Sequence, residues 1–136
     1  ADKVLEATEG KGVSVILDCV GASFWADNIK AAATDARWVL YGLMGGAAVP
    51  TEANVLGALL RKRIRLQGTT LRGRSDAYKA DLVAAFSAHA LAKFATGAFA
   101  PVFDEKRFRL ADVQAAHEHM ESNTGMGKII ITDAED

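Results

Sequence analysis

Four large apolar residues in a row, Trp38, Val39, Leu40 and Tyr41, run directly into Gly42, Gly45 and Gly46. The run is too short for a helix and does not alternate, so it reads as a strand buried on both faces, as in a parallel sheet covered by helices. Its glycines fall at the carboxyl end, where an open α/β sheet takes its ligand and where a missing Cβ lets another chain approach closely. Residues 13–21 repeat the shape, an apolar run closed by Gly21, and residues 64–71 are a weaker third copy. Each is followed by a stretch of helical periodicity. The fold class is α/β.

The remaining elements follow from local signals. Residues 1–8 are the last turns of a helix, stopped by Gly10 and Gly12. Ser23 is placed to cap a helix with Trp25, Ile29 and Ala32 at helical spacing, and Asp35 falls in the turn before the second strand. Thr51 is the expected cap of the next helix, with Asn54 three residues on and Val55, Leu59 and Leu60 on its apolar face. Ser75 opens the longest helix, striped by Tyr78, Leu82, Phe86 and Ala90. Beyond Gly97 the pattern changes to an extended segment ending at Phe108 and a short helix over 110–122. Val113, Ala116, His117 and Met120 share that helix's apolar face. A glycine-containing turn over 123–127 leads to a last apolar strand. A second structural unit is therefore expected to start near residue 98.

Composition narrows the function. The chain has 136 residues, half of them hydrophobic, enough for the core of one domain. A net charge of −1 and a pI near 6.3 leave no electrostatic footprint for nucleic acid or a membrane surface. Arg61, Lys62, Arg63 and Arg65 cluster locally; they suit a phosphate, but more simply the negative end of a helix. Cys19 is the only cysteine, which excludes an internal disulfide and a cysteine zinc cluster and fits a reducing, cytoplasmic setting. No apolar run approaches the roughly 20 residues that span a bilayer. The first residue is Ala1, already in helix-like sequence, as expected of a piece of a longer chain.

Four stretches taken together, LDCVG (17–21), ARWVLYGLMGG (36–46), TTLRGR (69–74) and DVQAAHEHMESNTGMGKIII (112–131), resemble the quinone oxidoreductase branch of the zinc-independent medium-chain dehydrogenase/reductase superfamily. The resemblance implies the second half of a Rossmann-type parallel sheet with helices on both faces, its strands corresponding to the family's fourth, fifth and sixth. A C-terminal β-α-β tail would return to the catalytic domain. It divides the chain into 1–97, the C-terminal half of a dinucleotide-binding domain, and 98–136, the returning segment. It also implies NADPH as cofactor, a quinone as hydride acceptor and no metal. A homodimer through the edge strand, Ile64 to Leu71, is implied as well. No G-x-G-x-x-G occurs, so the pyrophosphate-seating turn of such an enzyme is not in these residues. Alone, the chain is expected to be inactive.

The same resemblance marks the residues that would face the cofactor: Val20 and Gly21 after the first strand, Gly42, Leu43 and Met44 after the second, Leu71 and Arg72 after the third, and Asn123 and Gly125 in the last turn. Each has a plainer reading, as turn glycines and a solvated arginine. Relatives carry asparagine where Gly125 stands. Trp38 and Tyr41 are expected in the core rather than as stacking platforms. His117 and His119, two residues apart, lie on different helix faces, unlike a zinc-binding i, i+4 pair, with His117 packed and His119 solvated. Asp18 has no catalytic partner visible by spacing. Two other classes stay open: a non-catalytic assembly module or short form of the same fold, and another nucleotide-binding α/β protein such as a methyltransferase, against which the tail argues.

Overall fold

The computed structural model describes residues 1–50 and 54–133, and Thr51, the expected helix cap, lies outside them. The chain divides into two compact units, Ala1–Asp76 and Ala77–Asp136. The long helix thus groups with the tail, whereas composition alone puts the junction near residue 98.

In the first unit, helix α1 (Asp2–Ala7) leads to strand β1 (Val13–Asp18), and a 3-10 turn (Ala22–Phe24) runs into α2 (Trp25–Ala31). Strand β2 (Ala32–Leu40), helix α3 (Val55–Lys62) and strand β3 (Arg65–Gly68) follow. The three strands form one parallel sheet in the order β1-β2-β3. Ile16, Leu17 and Asp18 pair with Trp38, Val39 and Leu40, while Trp38, Val39 and Leu40 pair in turn with Leu66, Gln67 and Gly68. Because side chains alternate across a strand, one face carries Ile16, Trp38 and Leu66 and the other carries Leu17, Val39 and Gln67. Trp38, 1% exposed, centres the core with Ala32, Ala36 and Ile64, and Trp25, Ile29 and Leu59 pack onto it from α2 and α3. The Trp25 and Trp38 rings lie 4.8 Å apart, tilted by 31°.

Several local expectations are corrected. The second strand starts at Ala32, but its pairing jumps between Val13 and Val15, and Asp35, with φ of 64°, keeps turn geometry inside it. Ser23 lies within the 3-10 turn and caps nothing: Gly21 stands at the N-cap of that turn and Phe24 at the N-cap of α2. Asn54 caps α3, its side chain accepting from the Gly57 N–H at 2.9 Å. Leu60 is exposed and Ala58 buried, so the inner face of α3 is rotated from the expected one. Tyr41 is also exposed, since the strand ends one residue before it and the chain turns. The basic cluster binds backbone and acid: the Lys62 ammonium donates to the carbonyls of Ile29 and Ala32, each at 2.6 Å, and of Lys30 at 3.2 Å. Arg63 forks onto Asp35 with two 2.7 Å bonds. Lys62 therefore terminates α2, and Arg63 pins the β2 bulge.

The second unit contains α4 (Asp76–Ala95), strand β4 (Phe103–Phe108), a 3-10 turn (Leu110–Asp112), helix α5 (Val113–Glu121) and strand β5 (Lys128–Ile131). β4 and β5 pair in parallel, with α5 as their crossover. Of the expected stripe on α4 only Ala90 is buried, at 0%, while Tyr78, Leu82 and Phe86 are exposed.

Candidate functional site

The carboxyl ends of β1 and β2 carry two loops that are joined backbone to backbone. Tyr41 N–H donates to the Asp18 carbonyl at 2.8 Å, Met44 N–H to Cys19 at 3.1 Å, and Gly45 N–H to Val20 at 2.7 Å. In return the N–H groups of Ala22 and Ser23 donate to the carbonyls of Gly46 and Gly45. This close approach accounts for the glycines. A Cβ on Gly42 would lie 2.7 Å from the Cys19 carbonyl oxygen, and one on Gly45 would overlap Ser23 Oγ. At Gly21, with φ of 83°, a Cβ would stand 2.7 Å from the Gly46 carbonyl oxygen. Val20, Gly21, Gly42, Leu43 and Met44 are thus brought together in one double loop.

The loop after β1 is set by Asp18, which is 3% exposed. Its Oδ1 accepts from the N–H groups of Val20 at 2.7 Å and Gly21 at 2.9 Å. Its Oδ2 accepts from Asn28 Nδ2 at 3.0 Å and Trp38 Nε1 at 3.1 Å. All four partners can only donate here, so the carboxylate is filled, and Asp18 is a structural hub whose partners are backbone, amide and indole. Around this hub the double loop shows solvent an apolar rim: Leu43 and Tyr41 are about half exposed and Met44 is 86% exposed. The half-buried Cys19 thiol sits against the Tyr41 hydroxyl and raises it above its ordinary range. Leu71 and Arg72 occupy the third loop and are exposed; Thr69 N–H extends the pairing to the Leu40 carbonyl at 2.9 Å, and Arg74 N–H closes a turn on Leu71.

Asn123 and Gly125 belong to the second unit. Asn123 has φ of 51°, the left-handed geometry that asparagine tolerates better than most residues. Gly125 lies against a pair the sequence does not reveal: buried Asp104, on β4, accepts from His119 Nε2 of α5 at 3.0 Å. His119 is therefore the packed histidine and His117 the exposed one, the reverse of the expectation. The reason is phase: α5 buries Ala116, and His119 stands one turn further along that same face. Asp104 also accepts from the Lys106 N–H at 2.8 Å. That bond, then the histidine, hold its carboxyl below the usual carboxylate range against the opposing effect of burial. A cavity of about 400 Å³ opens beside the pair, lined by Phe103, Lys106, Thr124 and Met126 among others.

This architecture defines a nucleotide-binding-type α/β domain, and the comparisons make it specific. The family model described as zinc-binding dehydrogenase matches residues 1–131, and the chain belongs to that family. It resembles the Escherichia coli quinone oxidoreductase solved with NADPH, at 25% identity and a TM-score of 0.70 over 96% of this chain and 40% of that one. The Pseudomonas syringae quinone oxidoreductase superposes with a TM-score of 0.69 at 23% identity, over 96% of this chain and 38% of the other. An alcohol dehydrogenase superfamily protein from Novosphingobium aromaticivorans gives 0.66 at 21%, over 98% and 40%. The chain thus spans about two fifths of these structures. No curated protein sequence matches it. The resemblance to the quinone oxidoreductase branch and the α/β Rossmann-type fold are borne out. Although the family name implies zinc, no three potential ligands come together among the described residues.

Proposed function

We propose that this chain is the nicotinamide-side part of an NADPH-dependent oxidoreductase that passes a hydride to a quinone without a metal. The observation that carries it is the double loop at the carboxyl ends of β1 and β2. The N–H groups of Ala22, Ser23, Tyr41, Met44 and Gly45 donate across the double loop and those of Val20 and Gly21 to Asp18, and toward solvent it offers the apolar rim of Tyr41, Leu43 and Met44. Such a rim suits the face of a flat ring; a pyrophosphate needs free N–H donors at a helix N-terminus. The cofactor supplies the hydride. The residues of the chain hold the rings in place and keep water off them, which is most of what hydride transfer requires. The likeness to two quinone oxidoreductases supports a quinone as the hydride acceptor. Val20, Gly21, Leu71, Arg72, Asn123 and Gly125 complete the assigned contacts.

On this reading residues 1–97 form the second half of the dinucleotide-binding domain, residues 98–136 return to the catalytic domain, and the compartment is the cytoplasm. β3 lies at the sheet edge, and the segment from Ile64 to Leu71 pairs with its copy in a homodimer. The chain by itself is inactive. A second reading, a non-catalytic assembly module, is favoured by the open sheet face, where Leu17 on β1 is 68% exposed. Titrated alone with NADPH, the chain is expected to show no saturable change in nicotinamide fluorescence below millimolar cofactor. Micromolar binding would overturn the view that the pyrophosphate cradle lies outside these residues. Placed behind a Gly-rich dinucleotide-binding half, Met44→Asp should lower NADPH-driven quinone reduction without lowering Tm. Unchanged turnover would refute the assignment of the rim.

A further inference from the structure

We infer that the sheet face of the first unit turned away from the Trp38 ring is a docking surface for a partner helix that carries a carboxylate among apolar residues. The strand register lays out that face in two rows. Val15, Arg37 and Arg65 are neighbours in the first row, and Leu17, Val39 and Gln67 in the second. A groove of about 440 Å³ opens on the face, lined among others by Val15, Arg37, Val39, Arg65 and Gln67. Val15 is 46% and Leu17 68% exposed, whereas the opposite face buries Trp38 beneath Trp25, Ile29 and Leu59 of α2 and α3. Parallel sheets occur with both faces covered, and an apolar patch left open and rimmed by polar groups marks an interaction surface.

The charges select the occupant. Arg37 and Arg65 stand opposite each other on adjacent strands, and like charges so placed destabilise a sheet. Among the described residues neither makes an ion pair or a side-chain hydrogen bond, and Asp35, the acid at the bulge of β2, is already forked by Arg63. One carboxylate set between the two guanidinium groups satisfies both and removes the repulsion. The two rows hold no acid of their own, so the face is not self-complementary and does not suit a second copy of this chain. A free inorganic anion would leave Val15, Leu17 and Val39 uncovered. The spacing fits a helix. Two residues along a strand advance about 6.6 Å, and four along a helix about 6 Å. A helix lying along the strands therefore sets an aspartate or glutamate over the arginine row and aliphatic residues one turn away over Leu17 and Val39. The surface stands whether or not the chain serves hydride transfer.

The test is fluorescence anisotropy of a labelled, helix-stapled peptide titrated with the 136-residue chain. The peptide is alanine-based and carries one glutamate with leucines three and four residues on; a second peptide has lysine in place of the glutamate. The acidic peptide should bind saturably at micromolar concentration and the lysine peptide at least about tenfold more weakly. The double variant Arg37→Glu, Arg65→Glu should reverse that preference, and Leu17→Lys should weaken both peptides by at least about tenfold. Both sets of changes fall on exposed side chains, so the fluorescence of Trp25 and Trp38 in the core should report an unaltered fold. Equal affinity for the two peptides would overturn the proposal, as would no saturable binding up to millimolar chain. Release of the acidic peptide by millimolar inorganic phosphate would reduce the surface to an anion site. A dimer in sedimentation that Leu17→Lys dissolves would give the face to a second copy, and either result would refute the helix.

Discussion

Asp18 offers the sharpest check on how the first unit is held. Asp18→Ala removes the acceptor for four donors, of which Gly21 N–H and Trp38 Nε1–H are buried and those of Val20 and Asn28 are half-buried. A hydrogen bond to a charged group contributes about 1.5–3 kcal/mol, and a buried donor left without a partner costs a similar amount. The half-buried pair can partly turn to water. The expected loss is therefore about 3–5 kcal/mol, a large share of the stability of an ordinary domain. Asp18→Asn should be little better, because one end of the amide is itself a donor and would face either two N–H groups of the backbone or the indole and Asn28. Urea unfolding followed by tryptophan fluorescence reports directly, since both tryptophans of the chain, Trp25 and Trp38, are stacked in this core. A loss under about 1 kcal/mol for Asp18→Ala, with an unchanged m-value, would show that the hub geometry is incidental and would refute the reasoning.

Two further outcomes are expected. Lys62→Met keeps the apolar stem but removes three bonds to the carbonyls that end α2, and should cost about 1–3 kcal/mol in the same urea assay; no change would mean that water caps those carbonyls equally well. Asp104 has its carboxyl pKa lowered in the fold from 3.8, first by the Lys106 N–H and then by His119. Its stabilisation is then complete above about 4 and is lost as pH falls through the lower folded value, so near-ultraviolet dichroism of the second unit should hold steady from neutrality down to about pH 4 and change below it. A transition centred at pH 5 or above would point to another group.

The strand–helix rhythm, the parallel pairing and the stop at Gly10 and Gly12 were legible because they rest on short-range patterns: apolar runs, a glycine after each, helical spacing between. The site was legible only in outline. Gly21, Gly42 and Gly45 stood out as a cluster, but their reason, the carbonyl or side-chain oxygen of the facing loop within 3 Å of a would-be Cβ, needs both loops in place. Tyr41 belongs by composition to the strand and by geometry to the rim, because the chain turns one residue before it.

Periodicity measures which residues share a face and is blind to which face a neighbour will cover. That is why periodicity sets His117 on the inner side of α5 and His119 in solvent, where packing does the reverse. Asp18 and Asp104 were invisible for the same reason. A carboxylate looks like surface in one dimension, and only the arrival of indole, amide, imidazole and backbone donors from distant positions makes its burial affordable. The sequence by itself determined the class of fold and the ends of the strands where chemistry gathers, since those follow from local hydrophobicity and glycine. Tertiary structure alone decided the two buried acids and the donors that fill them, since those depend on groups 10 to 20 residues apart meeting at one point.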